Sequence, residues 1–149
     1  MSSSLNDLCQ DFDNFLEQFP GMQRDLVEMA GEKLHQKVLR NIDTSTKEQT
    51  GRMKAACHMV IGSGGGYAAV RNDYKKAKHT HLVEFGHRLI KGAKTKEGKH
   101  GQRVNIKGSG KQIGWVNGKF MYRNALNELE DELVADAEKM IDKLVGDLF

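Results

Sequence analysis

Met53-Lys54-Ala55-Ala56-Cys57-His58-Met59-Val60-Ile61 is where the chain changes period. Met53, Ala55, Cys57, Met59 and Ile61 alternate with Lys54, Ala56, His58 and Val60, the two-residue repeat of a strand with one buried face. Gly62-Ser63-Gly64-Gly65-Gly66 ends the run, and Tyr67 to Arg71 is short, apolar and suited to pairing back as a second strand. Upstream the repeat is helical. Leu5, Leu8, Phe12, Phe15, Leu16 and Phe19 predict a helix over about residues 4–18, with Ser4 and Asp7 as its capping box. Pro20-Gly21 is expected to break it. Met22, Leu26, Met29, Ala30, Leu34 and Val38 predict a second helix over about residues 22–41, followed by a polar loop from Asn41 to Thr50.

Downstream, the strongest helical pattern runs over about residues 121–145, through Met121, Ala125, Leu126, Leu129, Leu133, Ala137, Met140 and Leu144. Acids come early in it and Lys139 and Lys143 late, as the helix dipole favours. Helices bracketing a small antiparallel sheet give an α+β class. Between sheet and last helix lie a basic turn at Lys75–Lys78 and an apolar island of Leu82, Val83 and Phe85 stopped by Gly86. A Gly- and Lys-rich stretch with little core material then covers about residues 88–119. Within it, Val104 and Ile106 are expected to face Ile113 and Trp115 across Gly108-Ser109-Gly110 as a long β-hairpin.

At 149 residues the chain is expected to be one domain, 1–149, with 87–119 as a basic loop or hairpin inserted in it. The formal charge of +3 hides segregation: residues 1–49 sum to −4, 50–70 to +2, 71–119 to +10 and 120–149 to −5. A basic middle between acidic ends can meet a polyanion or the acidic ends of another copy. Aromatics are only 7 % of the chain, too few for a wide aromatic-lined pocket. No stretch approaches the ~20 apolar residues of a membrane helix, and the first residues lack a basic and then apolar signal pattern, so membrane and secreted classes are set aside. Cys9 and Cys57 lack the spacing of a redox or zinc pair and read as reduced thiols.

Catalytic and cofactor patterns do not assemble. The Gly62–Gly66 run has no following Lys-Ser or Lys-Thr, so it reads as a strand-to-strand turn rather than a phosphate loop. His79, His81 and His87 with Glu84 match no zinc spacing; His79 and His81 would share a face only if 79–83 were a strand. Ser63 and Ser109 sit in glycine turns without a nucleophile elbow. No enzyme activity, metal or cofactor is therefore expected. Tyr74, Phe85 and Trp115 are too scattered to stack single-stranded bases, which leaves non-specific duplex binding as the alternative function for the basic middle.

Three segments taken in order carry a family resemblance: Thr50-Gly51-Arg52-Met53, His81-Leu82-Val83-Glu84-Phe85-Gly86-His87, and Phe120-Met121-Tyr122-Arg123-Asn124-Ala125-Leu126. Together they resemble the minor tail component, or tail-completion, family of long-tailed bacteriophages, over roughly residues 22–140. The chain departs from the family's pattern at His87, where Thr is usual, and at Gly118-Lys119 and Asn124, which replace prolines. The resemblance implies a structural virion protein of the neck or upper tail, in the host cytoplasm during assembly. It implies a homo-oligomeric ring, a hexamer being one candidate, that completes the tail or joins it to the head. Its partners would be connector, terminator or tail-tube proteins, with double-stranded DNA in the lumen and no membrane.

A ring with two unlike faces per copy makes Arg52, Glu84 and Arg123 interface candidates, with the carboxylates Glu128, Asp131 and Glu132. The basic arm adds Arg88, Lys91, Lys94, Lys96 and Lys99, then Arg103, Lys107 and Lys111. Val83 and Phe85 are expected to pin their segment to the sheet while Glu84 points outward. Residues 88–103 are expected to gain order on assembly.

Overall fold

The computed structural model describes residues 5–46 and 51–148, with side chains at 9–46 and 51–146. Ser4, the expected cap, and Thr50, the first residue of the Thr-Gly-Arg-Met segment, lie outside the described residues, as does the 47–50 part of the expected loop. The fold is α+β. Its elements are α1 (Leu5–Ser45), α2 (Arg52–Ala56), β1 (Cys57–Ile61), β2 (Ala68–Asn72), α3 (Thr80–Phe85), β3 (Gly86–Lys91), β4 (Thr95–Glu97), β5 (Arg103–Asn105), β6 (Lys111–Asn117) and α4 (Met121–Leu148). They divide into two compact units, Met1–Ala77 with Met121–Phe149, and Lys78–Phe120.

In the first unit α1 packs on α4 and on the β1–β2 hairpin. Val38, Ile42, Met121 and Ala125 are fully buried there, and Leu129 and Ala56 nearly so. The expected break at Pro20-Gly21 does not occur, because α1 runs unbroken through Pro20. A proline inside a helix costs about 3 kcal/mol and one hydrogen bond. Residues 16–21 are all exposed, so the loss is confined to an unpacked stretch of a helix whose later turns are packed. The expected loop at Asn41–Ser45 is also helix. Ile42 supplies the reason, since it is fully buried and needs the last turn to carry it inward.

Close approach of α1 to the hairpin depends on Gly31. A Cβ there would lie 2.6 Å from the Ala68 Cβ and 2.8 Å from the Met59 sulfur. The strand expected from Met53 starts later: Arg52–Ala56 is a turn of helix, and only Cys57–Ile61 is strand. Met53, Ala56 and Cys57 are buried while Ala55 is exposed, so over these residues the inward spacing is three and four. Gly51 opens α2 in the left-handed region at φ 64°. β1 and β2 pair antiparallel from Cys57↔Asn72 to Ile61↔Ala68, with the glycine run as their turn. The Gly62 amide donates to the Tyr67 carbonyl at 2.9 Å.

In the second unit Leu82, Val83 and Phe85 belong to helix α3 rather than to a sheet segment. The hairpin expected between 104–106 and 113–115 has other partners. β6 pairs antiparallel with β3, from Gly86↔Asn117 to Lys91↔Lys111, and β5 pairs with β4, from Thr95↔Asn105 to Glu97↔Arg103. The two ladders are nested, with an Ile106 amide to Lys94 carbonyl bond of 2.8 Å between them. Residues 86–117 thus form one two-stranded ribbon turning at Gly98–Gln102, where the Gly98 amide donates to the Gln102 carbonyl. The return strand is longer because Gly108-Ser109-Gly110 folds into its own turn: the Ser109 hydroxyl donates to the Ile106 carbonyl at 2.6 Å and accepts from the Lys94 amide at 3.0 Å.

Candidate assembly surface

The ribbon is held at its base by backbone that only glycine permits. Gly86 sits at φ 82°, ψ 173°, and a Cβ there would lie 2.3 Å from the Val116 carbonyl oxygen and 2.8 Å from the Gly118 nitrogen. Across from it, a Cβ on Gly118 would lie 2.3 Å from the Glu84 carbonyl oxygen. The Lys119 amide donates to the Val83 carbonyl at 2.8 Å, and the Phe120 amide to the Glu84 carbonyl at 3.1 Å. The end of α3 and the outgoing chain therefore clasp each other where the ribbon begins. Phe120 adopts φ 51° in doing so, the only non-glycine with positive φ among the described residues.

Beyond that clasp the ribbon is exposed. Leu89, Ile90, Val104, Ile106, Ile113, Trp115 and Val116 all show at least 38 % of their surface. The register between Leu89↔Gly114 and Ile90↔Gln112 shifts by one, which leaves Ile113 as the extra residue of a bulge. Trp115 pairs directly with Arg88, so indole and guanidinium share one face of the ribbon. The candidate cations Arg88, Lys91, Lys94, Lys96, Lys99, Arg103, Lys107 and Lys111 are all exposed. With Lys119 added and Glu97 subtracted, residues 86–119 carry a net +8.

The acidic candidates sort differently. Glu84 is only 5 % exposed and Phe85 is 59 % exposed, the reverse of the expected outward Glu84 and inward Phe85. The helical turn of α3 explains it, since neighbouring residues swing by about 100° rather than alternating, and the aromatic falls on the wet side. Glu84 is therefore not available as a contact for another copy. Glu128 and Glu132 are exposed but engaged within the chain. Lys33 Nζ donates to Asp136 Oδ2 at 2.5 Å, Lys37 Nζ to Glu132 Oε1 at 2.8 Å, and Arg40 Nη2 to Glu128 Oε2. Positions 33, 37 and 40 on α1 thus meet 136, 132 and 128 on α4 as rungs of an antiparallel ladder. The bond from Lys37 holds the Glu132 carboxyl below the usual carboxylate range. The bond to Asp136 raises the Lys33 ammonium. Arg52, Arg123 and Asp131 are exposed.

This ladder was missed in the sequence, although its signal is present: opposite charges recur at helical spacing in two segments of opposite direction. Two apolar features of α4 were missed as well. Leu126, Leu129, Glu130, Leu133 and Val134 line an open cavity of about 360 Å3, and Leu126 and Val134 are each more than half exposed. A second cavity of about 220 Å3 shares Leu126, Leu129 and Leu133 and reaches Gly31 and Ala68, at the start of β2.

His79 and His81 do not share a strand face; they lie at the start of α3, where two residues are about 200° apart. The described residues contain no cluster of three metal-ligating side chains, and no described helix is long and apolar enough to cross a membrane. Cys57 is buried, which pushes its thiol up against the opposing hydrogen bond from Tyr122, while Cys9 is exposed. No protein-family model, curated protein or solved structure matches the chain.

Proposed function

We propose that this chain is a structural protein of the neck or upper tail of a long-tailed bacteriophage. It assembles as a ring that completes the tail or joins it to the head, with DNA passing through the channel. One observation supports this best. A two-stranded ribbon is at most marginally stable alone, yet here one projects apolar side chains and a net +8 from residues 86–119. A surface of that composition gains most by docking on apolar, acidic protein. The order of the Gly51-Arg52-Met53, Val83-Glu84-Phe85-Gly86 and Phe120–Leu126 segments supports the phage assignment by resemblance. Particles assembled from a genome with a stop codon in this reading frame should accumulate as filled heads and separate tails. Intact infectious particles from that genome overturn the proposal.

The charge of the ribbon also favours a second reading, a basic module that holds duplex DNA without sequence preference. It requires retention on DNA that falls steeply between low and moderate salt, roughly one unit of log–log slope per phosphate contacted. Passage through a DNA column at low salt without retention removes that reading.

A further inference from the structure

We infer that the cavity on α4 lined by Leu126, Leu133 and Val134 is the seat for Ile113 and Trp115 on the ribbon of a second copy of this chain. The inference rests on the assembly reading and names the two surfaces that meet.

The two surfaces match chemically. The cavity floor is apolar, and its polar wall includes Glu130. Glu130 lies about 160–200° around α4 from Glu128 and Glu132, so it faces away from the ladder to α1. It makes no ion pair among the described residues, whereas Glu128, Glu132 and Asp136 are all taken. The ribbon offers the complement: a bulged Ile113 and Trp115, each more than half exposed, with Arg88 directly across from the indole. Bulges re-aim side chains away from the ladder, and Trp and Arg are the residues that most often dominate an interface.

A polyanion does not fit the same cavity. Nucleic acid would bring phosphate to a wall carrying Glu130, with Asp131 beside it, and would leave Leu126 and Val134 wet. A ribbon bearing cations around an apolar knob satisfies both halves of the surface. Because knob and seat are different patches, the contact is heterologous, the kind that closes rings.

The test uses the full chain. Trp115 is the only tryptophan, so its emission should shift to the blue as concentration rises and the indole leaves water. In sedimentation experiments, Glu130→Arg and Arg88→Glu should each raise the dissociation constant at least about tenfold, and the double variant should restore it to within about threefold. Val134→Asp, at an exposed position, should weaken association without loss of helical circular dichroism. With p-benzoylphenylalanine in place of Trp115 in a mixture of 14N and 15N chains, crosslinks should join position 115 to residues 126–134 with mixed isotope masses.

Crosslinks confined to one copy, crosslinks to another surface, or no association up to about 0.1 mM overturn this docking. So does a charge-swapped double variant no better than the single ones. Those results leave the virion experiment to decide the connector reading separately. Conversely, particles that tail normally without the chain overturn that reading while the crosslink still reports the docking.

Discussion

Replacing Gly86 by alanine should open the ribbon while leaving the helices of the first unit in place. Its backbone lies at φ 82°, ψ 173°, a region that only glycine occupies readily, and forcing a side chain there costs about 1–3 kcal/mol. The added Cβ would also lie 2.3 Å from the Val116 carbonyl oxygen and 2.8 Å from the Gly118 nitrogen. Both are backbone atoms that cannot swing aside like the end of a flexible side chain. The first rungs of the β3–β6 ladder must separate, a further loss of about 0.5–1.5 kcal/mol per hydrogen bond. Together these come to about 3 kcal/mol, on the order of a hundredfold in the local opening equilibrium. Gly92 is the control. It has φ 72° in the same ribbon but nothing within 4 Å of a Cβ, so alanine there meets only the left-handed penalty, about 1 kcal/mol. Hydrogen exchange at the Arg88, Leu89, Trp115 and Val116 amides reads the difference. Equal protection in Gly86→Ala and Gly92→Ala would refute the steric argument.

The charge ladder and the thiols give two further expectations. Glu132 has a folded-state pKa below its ordinary value because of the hydrogen bond from Lys37, so its contribution is present above the unfolded carboxylate range and is lost as pH falls through the folded value. Lys33 is raised, so its contribution is full below the ordinary lysine value of 10.5 and disappears as pH rises past the folded one. Urea midpoints measured from neutral to acid pH should therefore fall less steeply in Lys37→Met than in the wild type; parallel curves would count against the ladder. An aromatic disulfide reagent should modify exposed Cys9 at once and buried Cys57 at least about a hundredfold more slowly, with both equal in urea. Two fast thiols in the folded protein would contradict the burial.

What was legible in the sequence was whatever depends on a pattern longer than two turns or on one special backbone angle. The last helix was legible because eight apolar positions repeat over it, and Gly51 and the Gly62–Gly66 turn because nothing else in their neighbourhood allows such bends. Residues 53–56 were not, since Met53, Ala55 and Cys57 fit alternation while Met53, Ala56 and Cys57 fit a helix, and five residues cannot decide between them. Pro20 misled because the local rule carries no information about a 41-residue helix whose buried apolar side chains lie well beyond it, at Val38 and Ile42. The ribbon's register was out of reach for another reason. Both Gly98–Gln102 and Gly108–Gly110 are turns, and which one reverses the chain depends on a pairing between residues 86 and 117 that no local feature announces.

The same distinction governs the charges. Read as blocks, the acidic C-terminal segment looked uniformly available to a basic partner. In the folded chain its acids divide by side of the helix: Glu128, Glu132 and Asp136 are spent on α1, and Glu130 borders an apolar cavity. A charge already satisfied within the chain adds little to an interface, because a new partner must displace the old one. Asp131, Glu138 and Asp142 make no ion pair among the described residues either, but of these acids it is Glu130 that lines the cavity beside exposed Leu126 and Val134, where an incoming cation would also bring apolar contact. On the ribbon the same logic singles out Arg88, the cation paired with the indole, over the lysines spread toward the tip. In the proposed docking those lysines would steer encounter over a Debye length of about 8 Å, and Arg88 and Trp115 would decide where the ribbon comes to rest.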